Sequence, residues 1–307
     1  MGGYGYYKRG GRRMKLRDKK SQAIGFAVLA AALYAINAPV SKLLLSKVSA
    51  TMMAAFLYLG AGIGLSLLQI IQKGTHKEVK EKPLTRRELP YTIGMIVLDI
   101  AAPLFLMAGL TMTTAANASL LNNFEIVATS VIALAIFHEA ISKRLWIAIG
   151  LVTVASLILS FEDISSLSFS MGSVFVLLAC VCWGFENNCT RMLSEKSPIE
   201  IVIIKGFCSG MGSFVIALIM REPIPKLIYI LGALVLGFVA YGLSIFFYIY
   251  AQRYLGAAKT SAYYAISPFI GVAVSFVIFR QTPTIWFLIA LVIMMIGTYF
   301  ASTDGKI

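Results

Sequence analysis

A short polar stretch, WGFENNCTR, lies inside an apolar segment of the sequence, from Trp183 to Arg191. Each ionised group near the centre of a membrane helix costs about 2.5–3.5 kcal/mol, so such groups belong against protein or water. On a helix, with about 100° per residue, the polar side chains and the tryptophan share one face. They are Trp183, Glu186, Asn187, Thr190 and Arg191. The stretch therefore predicts the lining of a cavity.

Glu186 and Lys205 are expected at similar depth on two neighbouring antiparallel helices. Glu186 precedes the end of the sixth apolar segment by as many residues as Lys205 follows the start of the seventh. One interpretation is a salt bridge that holds these helices in register. The other is a pair for which a substrate or a proton competes.

Glu125 and Asp99 are two further carboxylates inside apolar segments, with no cation near them in the sequence. Lys42 and Arg191 are the cations that could reach them across the bundle. On the fourth segment, Glu125 shares a broad face with Asn117 and Asn122. A carboxyl group in a low dielectric holds its proton more readily than in water. Both residues are therefore candidates for proton coupling or for binding a substrate ammonium. The alternative is a protonated carboxyl group or a helix-to-helix hydrogen bond.

The first apolar segment is interrupted by polar residues and a proline, at Asn37 and Pro39. Proline removes a backbone hydrogen bond, which predicts either a broken helix at a binding site or a simple kink. Lys42, farther along, is expected to extend its ammonium to the membrane interface. Tyr241 and Tyr264 are aromatic candidates for the cavity wall, with packing as the alternative.

Composition places the chain in the membrane. Of its 307 residues 59% are hydrophobic and only 13% are charged, whereas soluble domains carry about 25% charged residues. The net charge of +13 comes from residues outside the apolar runs, which favours membrane orientation and argues against a nucleic-acid partner. No metal-ligand spacing, nucleotide-binding loop or nucleophile motif occurs, so neither an enzyme nor a cofactor or metal site is predicted.

The sequence predicts an all-α integral membrane protein with ten transmembrane helices, because each apolar run is near the length that spans a bilayer. The runs are 22–45, 50–72, 90–111, 114–137, 145–161, 171–193, 198–220, 227–251, 257–279 and 284–302. Basic residues concentrate in the tail and in the loops on one side of the membrane. Residues 1–20 hold eight Lys or Arg, and residues 73–89 hold six. The positive-inside rule therefore predicts cytoplasmic termini.

The two halves of the chain repeat one another. The stretch YAINAPVSK, which ends at Lys42, corresponds to WGFENNCTR, which ends at Arg191. In the fourth and ninth segments Ser119 corresponds to Ser261, and Glu139 to Gln281. Five helices per half place the second half upside down, which is the inverted repeat of secondary transporters. The predicted units are a basic tail (1–21), two repeats (22–162 and 171–302) and a short cytoplasmic tail (303–307).

This arrangement resembles the EamA family of the drug/metabolite transporter superfamily. The most similar stretch is Ala118-Ser-Leu-Leu, Glu125-Ile-Val-Ala-Thr and Phe137-His-Glu139. Ile126 and Gln281 depart from the family pattern, which commonly has proline and glutamate at these positions. The first departure weakens the expected kink in the fourth helix, and the second removes a carboxylate at a helix end.

The resemblance implies export or exchange of small metabolites such as amino acids across the cell membrane. The polar cavity residues add protons as a candidate coupling ion, and lipid surrounds the helices. The alternative function is a non-transporting membrane scaffold or lipid-binding subunit.

Overall fold

We analysed a computed structural model, which describes residues 16–75, 84–138, 141–163, 168–193, 196–255, 260 and 263–303. Most of these residues are helical, and the helical spans are numbered α1 to α10. The first half contains α1 (Leu16–Ala35 and Asn37–Leu44), α2 (Ala50–Thr75), α3 (Leu89–Met112, after the 3₁₀ turn Arg86–Glu88), α4 (Ala115–Leu121 and Phe124–Phe137) and α5 (Lys143–Ser160). The strands β1 (Phe161–Asp163) and β2 (Ser168–Phe169) form a small antiparallel ribbon after α5.

The second half contains α6 to α10, and two of its helices have a π-helical turn in their middle. The spans are α6 (Met171–Met192), α7 (Pro198–Ile204, π turn Lys205–Ser209, Gly210–Ile219), α8 (Leu227–Gly237, π turn Phe238–Leu243, Ser244–Leu255), α9 (Ser267–Phe279) and α10 (Ile285–Ser302). Within the described residues, nine spans are long and apolar enough to cross a membrane, and α9 is a shorter apolar helix. This confirms the all-α, multi-span membrane class.

Parts of several predictions lie outside the described residues: most of the two tails, Glu139 and Ser261. Helix α1 begins at Leu16, and its apolar part that is long enough to span a membrane begins at Ser21. Leu16 is still within the stretch predicted as tail.

Helices α1 and α4 are each interrupted by a short turn, at Ile36 and at Asn122–Asn123, where the backbone keeps helical angles. The break in α1 confirms the expected effect of Asn37 and Pro39. The break in α4 needs no proline, although Ile126 was expected to weaken a kink there. Asparagine side chains compete with the helix for backbone partners, and the Asn123 side chain donates to the Leu120 carbonyl (3.3 Å).

Packing relates the two halves by a shift of five helices. Helix α1 packs on α8, and α6 correspondingly packs on α3, while α2 meets α7 and α5 meets α10. The end of α1 and the start of α6 lie together, as Lys42 and Ser170 line one cavity. The first helix of one half therefore ends where the first helix of the other half begins, so the two helices run in opposite directions, as in an inverted repeat.

The bundle has two ends, named here by what they hold. The vestibule end holds the ends of α1, α3 and α5 and the start of α10, around the cavity described below. The terminal end holds the opposite ends of these helices. There the Arg144 guanidinium at the start of α5 donates to the Thr303 carbonyl just after α10 (3.4 Å).

Helix α2 lies between the two π turns. A Cβ atom added at Gly62 would lie 3.0 Å from the backbone nitrogen of Phe207, and one at Gly206 only 2.3 Å from that of Gly62. The backbones therefore touch directly. At the vestibule end, the Glu222 carboxylate accepts hydrogen bonds from the Met52 backbone N–H (2.9 Å) and the Ser49 hydroxyl (2.6 Å), which caps α2.

Candidate functional site

Three charged side chains meet inside the bundle: Asp99, Glu186 and Lys205, called here the charge cluster. The Lys205 ammonium lies 2.7 Å from a Glu186 carboxylate oxygen and 3.3 Å from Asp99 Oδ2. All three side chains are buried, with no more than 6% of any of them exposed. The predicted Glu186–Lys205 salt bridge is confirmed. Asp99 has no cation near it in the sequence, but in the fold Lys205 on α7 reaches both carboxylates.

Neighbouring hydroxyl groups complete the charge cluster. The buried Tyr58 hydroxyl on α2 donates to Asp99 Oδ1 (2.7 Å), and the Thr190 hydroxyl, one turn along α6, donates to Glu186. Lys205 is the first residue of the π turn in α7. Such turns occur frequently at functional sites, since they offset a side chain from regular helix spacing. Tyr58 was not among the residues predicted from the sequence, although its hydroxyl is the one ionisable group in the α2 run TMMAAFLYLGAG.

Glu125 lies beside the charge cluster without joining it. The Asn187 side chain donates to Glu125 (2.6 Å), and Asn187 follows Glu186 directly on α6. The same amide is 3.4 Å from the Thr129 hydroxyl on α4. Among the described residues, no cation lies within ion-pair distance of Glu125. Glu125 and the cluster together contain three carboxyl groups and one ammonium.

A group of tyrosines connects the charge cluster to α1. The buried Tyr241 lies in the π turn of α8, where its hydroxyl accepts a hydrogen bond from the Asn37 amide (3.2 Å). Its ring centroid is 5.0 Å from that of Tyr58 and 5.9 Å from that of Tyr34. Tyr264 lies 6.0 Å from Tyr34, ring to ring. These rings pack on one another, as aromatic pairs at such separations do.

A small internal void lies between α1, α4 and α9, next to these tyrosines. It has a volume of about 10 Å³, roughly the space of one water molecule. Its lining includes Tyr34, Asn37, Ser119, Asn122 and Gly271. The centre of the bundle is therefore closely packed in this conformation.

A much larger cavity of about 530 Å³ opens at the vestibule end and is called here the vestibule. Its wall combines threonines, amides and aromatic rings with one lysine. The wall comprises Lys42, Thr111–Asn117, Ile158, Leu159, Phe161, Ser170, Phe276, Phe279, Gln281–Thr284, Trp286 and Phe287. The same three helices, α1, α4 and α9, line both the vestibule and the internal void. The void therefore lies deeper along the same three helices.

The opposite side of the charge cluster is filled by apolar side chains. Met95, Leu193 and Ile201 are buried against one another and form the plug. Met95 and Ile201 precede Asp99 and Lys205 by one helical turn, so the plug lies directly beneath the cluster on α3 and α7. Farther out, the Lys196 ammonium and the Glu88 carboxylate form the latch (3.2 Å), with 14% and 19% of their side chains exposed.

Comparisons with known proteins agree with this architecture. The EamA-like transporter family model matches residues 21–161 and again residues 170–303. The chain belongs to the EamA-like transporter family. The members of this family are membrane transporters, so transport is favoured over a non-transporting scaffold. The family also agrees with the expectation that the protein is not an enzyme.

Two relatives of this EamA-like chain carry the same general description. An uncharacterized transporter of Methanothermobacter thermautotrophicus is 26% identical over 298 residues, which cover 91% of this chain and 85% of the relative. The uncharacterized transporter YyaM of Bacillus subtilis is 22% identical over 253 residues, or 78% of this chain and 81% of the relative. A solved crystal structure aligns with 92% of this chain and 97% of its own, with a TM-score of 0.63 at 15% identity, and shows the fold alone.

Some of the residues predicted to line the cavity of this EamA-like transporter lie away from the charge cluster. Asn117 lines the vestibule, where its amide donates to the Ser173 hydroxyl (2.9 Å) and the Leu159 carbonyl (3.2 Å). Trp183 is buried in the apolar core and lines neither of the two cavities. Arg191 is exposed near the end of α6, towards the terminal end. The face predicted from Trp183 to Arg191 is therefore divided between the core, the charge cluster and the surface.

Proposed function

We propose that this transporter exports or exchanges small metabolites, such as amino acids, across the cell membrane by alternating access, with protons as the coupling ion. The observation that carries the proposal is the buried charge cluster of Asp99, Glu186 and Lys205, with the half-buried Glu125 beside it. Buried charge is costly in a membrane protein, and it marks substrate and proton pathways. The group lies between an open vestibule and an apolar plug, where a transported solute must pass.

Charge balance supports a coupling role for these groups. One ammonium neutralises one of the three carboxylates, so a second positive charge stabilises the site. A proton and a substrate ammonium can both supply that charge, and competition between them couples their movement. Glu125 is the carboxyl group without a cation, and we assign it the exchange of protons or substrate.

Orientation follows from the basic residues of the tail and loops. With cytoplasmic termini, the vestibule faces the outside and the latch faces the cytoplasm. The tails (1–21 and 303–307) lie inside, and the two inverted repeats (22–162 and 171–302) rock about the central residues to open the other end. The void and the plug are the regions that must reopen and reseal.

Transport in proteoliposomes tests this proposal. We would trap a pH-sensitive dye inside, impose gradients of pooled amino acids, and compare the wild type with Glu125→Gln. Glutamine keeps the size of the side chain and its contact with Asn187, so only the ionisable group is lost. Glu200→Gln, which removes a carboxylate in the first turn of α7, is the matched control.

The wild type and Glu200→Gln should show proton movement that depends on the amino acid gradient, and Glu125→Gln should show none. Substrate flux without proton movement in the wild type would overturn proton coupling. Unchanged coupled transport by Glu125→Gln would overturn the role of this residue.

A further inference from the structure

Lys42 is held in an unusual way for a charged side chain. Its ammonium donates to the carbonyl oxygens of Leu110, Thr113 (2.8 Å) and Thr111 (3.4 Å) at the end of α3. These acceptors are neutral dipoles, and no carboxylate in the described part of the chain forms an ion pair with Lys42. The ammonium therefore lies at the end of α3, at the vestibule end of the bundle, and its expected reach to the membrane interface stays a prediction.

The side chain borders the vestibule, where it is the only charged group among the described wall residues. The other polar groups there are hydroxyls and amides, from residues such as Thr113, Asn117 and Gln281. Hydroxyl and amide N–H groups donate to carboxylate oxygens. The end of a helix carries a partial negative charge of about half an elementary charge, so the ammonium beside it keeps a net positive charge. A cavity with this cation and several neutral donors attracts an anion, and its partly enclosed wall reduces the screening of the charge.

We propose that the vestibule is a binding site for the carboxylate group of a small solute, with Lys42 as the binding cation. This deepens the proposed function and rests on it for its biological meaning: the transported metabolites carry a carboxylate. Lys42 lies five residues beyond Asn37 on α1, about 7–8 Å along the helix axis. A carboxylate at Lys42 therefore lies above the void, and the carboxyl groups of Glu125 and the charge cluster lie deeper.

The internal repeat of the sequence also supports a functional role for Lys42. Lys42 corresponds to Arg191 in the repeated stretch, so each half has a cation at the equivalent point of its first helix. In an inverted repeat the two positions lie towards opposite ends of the bundle. Lys42 is the member of the pair that borders the vestibule in this conformation.

A fluorescence experiment tests the site without requiring transport. Trp286 lines the vestibule, so quenching of its emission reports on ions that enter. We would use purified full-length protein in nanodiscs of neutral lipid and take the difference from a Trp286→Phe variant to isolate its signal. Iodide serves as the anionic quencher and acrylamide as the neutral one. Sodium propionate and propionamide serve as competing probes that differ only in the carboxylate.

We expect iodide to quench Trp286 about two- to threefold more strongly in the wild type than in Lys42→Gln, because one nearby cation concentrates the anion. Acrylamide should quench both equally. Propionate should reduce iodide quenching in the wild type, whereas propionamide should have no effect. Lys42→Arg should behave like the wild type, and so should Lys47→Gln, which removes an exposed cation of the same end.

Equal effects of propionate and propionamide in the wild type would overturn the proposal, and this comparison needs no folded variant. Equal iodide quenching in the wild type and Lys42→Gln would overturn the role of Lys42. If the propionate effect disappears when anionic lipid is added, the ligand of the site is a lipid headgroup and not a free solute. If amino acids are not transported in proteoliposomes but propionate still reduces iodide quenching, the proposed substrates would be overturned and the anion site would stand.

Discussion

Lys205 and Lys42 are both held inside this bundle, but by opposite kinds of partner. Lys205 lies between the carboxylates of Asp99 and Glu186, in a region closed to solvent. Lys42 contacts carbonyl groups at the edge of an open cavity. A lysine with two carboxylates is bound strongly by the protein itself. A lysine with only dipoles for partners still has a charge to offer an incoming anion. The location of the counterion therefore distinguishes the two sites.

The largest expected effect comes from removing the cation of the charge cluster. Lys205→Met leaves Asp99 and Glu186 buried without their cation, and it should destabilise the protein by about 3–5 kcal/mol. Thermal unfolding in detergent, followed by size-exclusion chromatography, measures this loss. Lys226→Met removes an exposed lysine at the start of α8 and should have little effect.

A combined variant separates charge from packing in this experiment. Adding Asp99→Asn and Glu186→Gln to Lys205→Met should restore most of the lost stability, because no unpaired charge then remains buried. Transport should stay absent in the combined variant. A Lys205→Met protein as stable as the wild type would contradict the described role of the cluster.

A smaller effect is expected at the other lysine. Lys42→Met removes hydrogen bonds to the end of α3, and it should cost about 1 kcal/mol, since water in the vestibule can replace the ammonium as a donor. The same unfolding measurement applies, with Lys47→Met as the control. A loss as large as that of Lys205→Met would show that Lys42 is a structural cation like Lys205, and the contrast between them would disappear.

The sequence allowed the helices and the existence of a polar interior to be predicted, because hydropathy depends on residues close together in the chain. The partners of individual charges depend on how helices rotate and approach one another. Glu186 and Lys205 could be paired from their depth alone, since α6 and α7 are consecutive. Tyr58 and Asp99 join them from two other helices, and no local pattern indicates that contact.

Two further features of the fold also depend on contacts that no single segment of the sequence reveals. The break in α4 at Asn122–Asn123 depends on side-chain competition for backbone groups, which hydropathy does not reveal. The direction of the Lys42 side chain depends on the end of α3, which lies nearby only in the folded bundle.

The smallest expected effect concerns the latch at the terminal end. Glu88→Gln removes a partly exposed ion pair with Lys196, and it should favour opening by less than about 1 kcal/mol, or up to about fivefold in the open population. Cys189 packs beside the plug and provides the measurement. With Cys180, Cys182 and Cys208 replaced, its rate of labelling by a thiol reagent should rise in Glu88→Gln and not in Glu200→Gln. An unchanged or slower rate in Glu88→Gln would show that the latch does not hold this end closed.

Locking the terminal end tests alternating access most directly. In a chain without native cysteines, we would introduce Glu88→Cys and Lys196→Cys, join them with a short bifunctional thiol reagent, and measure amino acid transport in proteoliposomes. The protein before cross-linking and each single variant treated with the reagent are the controls. We predict that the cross-linked protein loses transport. A further cysteine introduced at Thr113 in the vestibule of the cross-linked protein should still react with a water-soluble thiol reagent added after cross-linking. Undiminished transport by the cross-linked protein would contradict alternating access.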